Sequence, residues 1–210
     1  VNIDTPVSEL RTCTKTNKNW PNSAVTDDMY AFSGHFDGNG VIIYNMYCNG
    51  KAGGLFPSVR GNTTGNNISF KNIIISASQI TSYGDGVDTN KNTTAYGAGS
   101  LIGVHNNYSS YTSYINIDRC ICSNNIIQSN SNGGSIVGNT RWQKFTLSNC
   151  SVIDITIEEA SSVVSANALY GAVGWTQRTE GTSSLKNCTA KGSVFILFTD
   201  KYTLFYDNCY

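Results

Sequence analysis

The sequence has little charge. Only 13% of its 210 residues are Asp, Glu, Lys or Arg, and fourteen basic residues balance fourteen acidic ones. A surface without a basic field cannot neutralise a phosphate backbone, so nucleic acid is excluded as a partner. No apolar run approaches the roughly 20 residues of a membrane-spanning helix, so no membrane span is expected. Histidine is nearly absent: His35 and His105 stand far apart, neither beside a Cys or an acid at ligand spacing. Zinc is therefore not expected, and neither is any cofactor. The chain opens at Val1 with no leader-like segment and reads as a processed mature product or an excised piece.

Asn occurs 25 times and Gly 20 times, alongside abundant Ser, Thr and Tyr. Low charge with this polar composition suits an extracellular or cell-surface location. Asn-X-Ser/Thr triplets at Asn62, Asn67, Asn92, Asn107, Asn149 and Asn187 point the same way, with Asn62, Asn92 and Asn107 the candidate glycosylation sites.

The last third writes Asn-Cys three times, in LSNCSV (147–152), LKNCTA (185–190) and YDNCY (206–210). Aligning these pairs brings IIYNMYCNG (42–50), FKNIIISA (70–77) and IDRCICSN (117–124) into line. Three residues before the Cys position stand Ile43, Phe70, Ile117, Leu147, Leu185 and Tyr206; just before it stand Asn45, Asn72, Arg119, Asn149, Asn187 and Asn208. Apolar residues at the Cys position and two further on have the period of a strand with one face buried. A second element recurs between these strands: GGLFP (53–57), GSLIG (99–103), GSIVG (134–138) and YGAVG (170–174). From it to the next Asn strand takes 18, 19, 14 and 16 residues, while the outgoing leg takes 9, 28, 16 and 22. One leg of near-constant length and one variable leg are the mark of stacked turns whose insertions gather at one corner. The expected fold is all-β, a right-handed parallel β-helix of about five irregular coils. Residues 32–210 form the coils and residues 1–31, which lack the pattern, an N-terminal cap. The Cys side chains are expected as inward rungs of one column, with the Asn before each at a bend where side-chain amides stack.

The stretch FSGHFDGNGVIIYNMYCNGKAGGLF (32–56) resembles the repeat phrase of GLUG-type bacterial surface proteins. The matching residues are Phe32, Gly34, Phe36, Asp37, Gly38, Gly40, Ile43 and Asn45, followed by Gly54-Leu55-Phe56. The resemblance extends over roughly 30–190 and implies a pectin-lyase-like parallel β-helix on a secreted or surface protein, commonly an adhesin. It brings no catalytic residues.

Enzyme chemistry would need paired carboxylates across a cleft. Two residues before the Cys position stand Tyr44, Lys71, Asp118, Ser148, Lys186 and Asp207, so no two adjacent coils offer acids. Asp154, Glu158 and Glu159 read as a solvated loop. DGVDTNKN (85–92) has oxygen donors at Asp85, Asp88, Asn90 and Asn92 but lacks the sixth-position Gly and closing Glu of a calcium loop. No catalytic residue is expected. Seven Cys leave one unpaired if disulfides form; Cys13 with Cys48 and Cys188 with Cys209 are the candidate pairs.

The leading expectation is a non-enzymatic structural or adhesive surface module that associates end to end, because the apolar segment 194–210 opens a further coil. The alternative is a carbohydrate-binding or carbohydrate-cleaving β-helix using the corner loops 79–98 and 156–169, with Tyr83, Tyr96 and Tyr170 as glycan contacts. Ice binding is not favoured, because no Thr column appears in the register.

Overall fold

A computed structural model describes residues 31–50, 52–59, 67–83, 97–105, 114–130, 132–141, 144–159, 168–169, 173–177, 183–192 and 204–207. These residues are all-β: they form strands, bends and short links, with no helix among them. Every strand pairing is parallel.

The pairings resolve into five ladders, which the chain visits in fixed order. The first holds His35–Asp37, the start of Ile68–Ser76, Tyr114–Asp118, Lys144–Ser148, Ser183–Lys186 and Leu204–Asp207. The second holds Val41–Tyr44, the end of Ile68–Ser76, Ile121–Ser123, Ser151–Ile153 and Thr189–Lys191. The third holds Tyr47–Gly50, Gln79–Ser82, Ile126–Ser129 and Thr156–Glu159. Gly97–Gly99, Asn132–Gly134 and Ala168–Leu169 make the fourth. Phe56–Val59, Ile102–His105, Val137–Arg141 and Val173–Gln177 make the fifth. After each fifth-ladder strand the chain re-enters the first ladder one strand further along.

The bend between the first two ladders explains the Asn-Cys pairs. Asn72, Arg119, Asn149 and Asn187 take φ of 55°, 50°, 55° and 51°. This left-handed region is costly for most L-residues, and Asn tolerates it best after Gly. The residue after the bend points inward, which places Ile73, Cys120, Cys150 and Cys188 in one buried row. Three residues earlier, Phe70, Ile117, Leu147 and Leu185 are in register and fully buried, as the Asn spacing leads one to expect. Each buried side chain of this size contributes about 1.5–3 kcal/mol, and the rows run without a polar interruption.

The first coil corrects the register read from sequence. Val41 pairs with Ile73 and Ile43 with Ile75, so Ile43 belongs to the row of Cys122 and Val152 rather than that of Phe70, where Phe36 stands. Asn45, φ 53°, lies at the second bend, with Ala77, Asn124, Asp154 and Gly192, instead of beside Asn72. Cys48 correspondingly falls in the row of Ile80 and Ile127. Both bends demand a left-handed residue followed by an alternating strand, so the sequence around one imitates the other. At the first bend this coil sets Gly38-Asn39-Gly40 against Asn72, a bulge between Asp37 and Val41. A Cβ on Gly38 would lie 2.6 Å from the Asn72 carbonyl oxygen, and Gly40 has φ 77°. Those contacts account for the glycines of the FDGNG phrase.

The Gly-x-x-x-Gly element closes the corner between the fourth and fifth ladders. A Cβ on Gly99 would sit 2.5 Å from the backbone nitrogen of Gly138 and 2.5 Å from the carbonyl oxygen of Ile102. Here the two walls meet backbone to backbone with no side chain between them, and the interior tapers shut.

Candidate functional site

The described strands of the first three ladders alternate inward and outward, so function is sought on their outward rows and at the bends. At the first bend a polar network runs along the ladder. Asn72 Nδ2 donates to Asp37 Oδ1 at 2.8 Å, and Arg119 Nε donates to Asn72 Oδ1 at 2.9 Å. Further on, Asn149 Nδ2 donates to Asp118 Oδ1 at 2.8 Å and Asn187 Nδ2 to Asn149 Oδ1 at 3.2 Å. In the corrected register the row two before the Cys position begins with Asp37 in place of Tyr44, and reads Asp37, Lys71, Asp118, Ser148, Lys186, Asp207. Lys71 Nζ lies 3.1 Å from Asp37 Oδ2, and Ser148 Oγ donates to Asp118 Oδ1 at 3.0 Å. The Asn72 amide, the Asn39 backbone N–H and the Lys71 ammonium hold the Asp37 carboxyl down at about 2. Along this row no two adjacent strands both carry an acid.

The outward rows beyond the first bend differ in chemistry. Ile42, Ile74 and Ile121 form one row on the second ladder, and Tyr47, Gln79 and Ile126 one on the third. Ile42 is 48% exposed, Ile126 41% and Tyr47 36%. Between them Ser123 Oγ donates to Ser76 Oγ at 2.9 Å. On the third ladder Gln79 Nε2 and Thr81 Oγ1 both donate to Gln128 Oε1 at 3.1 Å, and Gln128 Nε2 donates to Glu158 Oε1 at 2.7 Å. Over the first three coils these two ladders carry no charged outward residue. Asp154, Glu158 and Lys191 appear only in the fourth and fifth.

Among the described residues five Cys side chains are buried, those of Cys48, Cys120, Cys122, Cys150 and Cys188. Those of Cys120, Cys150 and Cys188 stack: Cys150 Sγ donates to the Ile117 carbonyl at 3.6 Å and Cys188 Sγ to that of Leu147 at 3.5 Å. Burial pushes the Cys122 thiol up to about 12. The neighbouring Cys120 thiol, with burial, pushes Cys150 to about 12, and contact with Cys150 raises Cys188 further. Such groups are packing material and poor nucleophiles.

Of the residues singled out from sequence, Tyr83 is half-buried, its N–H donating to the Gly50 carbonyl at 2.9 Å. Tyr96, Tyr170, Asn62, Asn92, Asn107, Cys13, Cys209 and most of the loops 79–98 and 156–169 lie outside the described residues, as do Asp85, Asp88 and Asn90. No disulfide is present among the described residues, and no three His, Cys, Asp or Glu side chains converge there to hold a metal ion. No described helix is long and apolar enough to cross a membrane. The uncharged outward face escaped the sequence reading because its rows cross coils. Only the true register brings Ile42 beside Ile74, and Tyr47 beside Gln79. Compared with known protein families, curated proteins and solved structures, the chain matches none.

Proposed function

We propose that this chain is a non-enzymatic structural or adhesive module of the extracellular surface, built as a right-handed parallel β-helix of about five coils with the segment 1–31 as its cap. The observation that carries the reading is the fixed five-ladder order of in-register parallel strands, with apolar residue stacked on apolar in the inward rows. Parallel strands joined by crossovers in one sheet are right-handed almost without exception. The interior is filled by side chains, and the network at the first bend joins its polar groups mainly to each other. The fold is thus organised to present long outward rows. The strand His35–Tyr44 is paired on one side only among the described residues, and the end-to-end association expected from sequence is carried by the apolar segment 194–210.

The test is twofold. Small-angle scattering and negative-stain microscopy of the purified chain should show a rod, with end-to-end assemblies as concentration rises; a sphere excludes the β-helix. A reducing-sugar and unsaturated-product assay over a polysaccharide panel should show no turnover. Sustained product release makes the chain an enzyme.

A further inference from the structure

The geometry points to a binding face for an uncharged glycan chain on the outward rows of the second and third ladders, around the bend at Asn45, Ala77 and Asn124. This inference rests on the adhesive reading and names its ligand class.

Among the described residues of the first three coils, charge lies off the second and third ladders. The first ladder and its bend carry Asp37, Lys71, Asp118, Arg119 and Lys186. Across the adjoining two ladders the first three coils present aliphatic, aromatic, hydroxyl and amide groups and no charge. An anionic polymer finds no cation on those coils, and the carboxylate at their edge, Glu158, is engaged by Gln128. A lipid surface would have to strip water from the Gln79 and Gln128 amides without replacing their hydrogen bonds. A neutral sugar chain meets each group with its counterpart: its C–H faces lie on Tyr47, Ile74 and Ile126, and its hydroxyls exchange bonds with the amides of Gln79 and Gln128. Tyr47 joins an apolar ring to a polar tip, as such mixed contacts require.

The face is also held in place before any ligand arrives. The bonds from Gln79 to Gln128 and from Gln128 to Glu158 fix side chains that would otherwise lose rotamer freedom on binding. Strand spacing of about 4.8 Å sets Ile42, Ile74 and Ile121 at equal intervals on the second ladder, so a polymer with a short repeat can make the same apolar contact more than once. The apolar side chains stand between polar rows instead of merging into one patch, unlike the dry centre of a protein interface.

The test uses the whole chain. Co-sedimentation with insoluble neutral polysaccharides (cellulose, chitin, a mannan), and affinity electrophoresis in soluble neutral and anionic ones (a mixed-linkage glucan, alginate, hyaluronan), should show retention by at least one neutral polymer and none by the anionic pair. Gln79→Glu and Ile126→Glu, both at exposed positions, should weaken retention at least tenfold with unchanged melting. Lys186→Glu on the first ladder should leave it as it was. Retention by anionic polymers only, no retention at all, or retention indifferent to both substitutions overturns the proposal. So does loss of self-association in those variants without any glycan, which would make the face a contact between copies. If cell-surface adhesion persists in the variants while glycan retention was never present, this inference falls and the adhesive reading stands.

Discussion

The side-chain amide of Asn187 donates to Oδ1 of Asn149, the equivalent residue one coil earlier, at 3.2 Å. Asn149 in turn gives its own amide to Asp118. Both residues head glycosylation triplets and both hold a left-handed backbone, φ 55° and 51°. Attaching a sugar to either amide nitrogen would remove its bond to the preceding coil. Expressed in a host that glycosylates Asn, the chain should therefore carry no glycan at Asn149 or Asn187, while Asn62, Asn92 and Asn107 remain the candidates. Intact-glycopeptide mass spectrometry checks this. Full occupancy at Asn187 would contradict the amide row.

Leu147 stacks between Ile117 and Leu185 with no exposed surface. Truncation to Ala should cost about 2–5 kcal/mol, since the parallel strands on both sides keep the cavity from collapsing. Leu147→Asp should leave no folded protein at neutral pH, because a buried unpaired carboxylate costs several kcal/mol. Denaturant melts followed by circular dichroism measure both. A Leu147→Asp protein that melts like the parent would refute the packing.

How far the fold could be read from sequence depends on which bend is considered. From Phe70 onward the Asn position and the apolar residues two before and three after it located the inward rows, because Asn72, Asn149 and Asn187 answer one backbone demand. The reading failed in the first coil. There Gly38-Asn39-Gly40 replaces the single bend residue, and Asn45 satisfies the identical demand one bend later. Local pattern cannot tell two consecutive left-handed bends apart; only cross-strand pairing does. The outward face was illegible for a related reason. Ile42, Ile74 and Ile121 are far apart in sequence and unremarkable singly, and they become a row only through register.

Gly99 and Gly138 give a separate check on the tapered corner. Gly99→Ala drives a methyl group against two backbone atoms at 2.5 Å, neither able to rotate away. Overpacking of this kind costs roughly 1–3 kcal/mol. Gly40→Ala, where no atom lies within 4 Å but φ is +77°, should cost about 1–2 kcal/mol through backbone strain alone. A double variant should be additive, because the two sites share no contact.

Asp37 ties Asn72, Asn39 and Lys71 together at the first coil, and its carboxyl titrates near 2 instead of 3.8. A carboxylate held below its unfolded value contributes stability above that value and loses it as pH falls through the folded one. Asp37→Asn should therefore melt below the parent at pH 6, and the difference should close between pH 4 and pH 2. Added salt should shrink the Lys71 share of the effect, since that pair is exposed. A difference in melting that persists unchanged at pH 2 would assign the role of Asp37 to shape instead of charge.

The thiol row predicts the opposite end of the pH scale. Cys122 and Cys150 hold their protons to about 12 when folded, against an ordinary value of 9.0. Their neutral forms are favoured by the fold, so this stabilisation is complete below pH 9 and is lost as pH rises from 9 towards 12. The chain should lose melting temperature steeply over that interval, and Cys150→Val, which cannot ionise, should flatten the fall at a small packing cost at pH 7. At pH 8 iodoacetamide should leave Cys120, Cys122, Cys150 and Cys188 unmodified in the native protein and alkylate all four once denaturant unfolds it, as peptide mass spectrometry reads directly. Rapid native labelling at Cys150 would mean that the row is open to solvent, and the stacked interior would have to be redrawn.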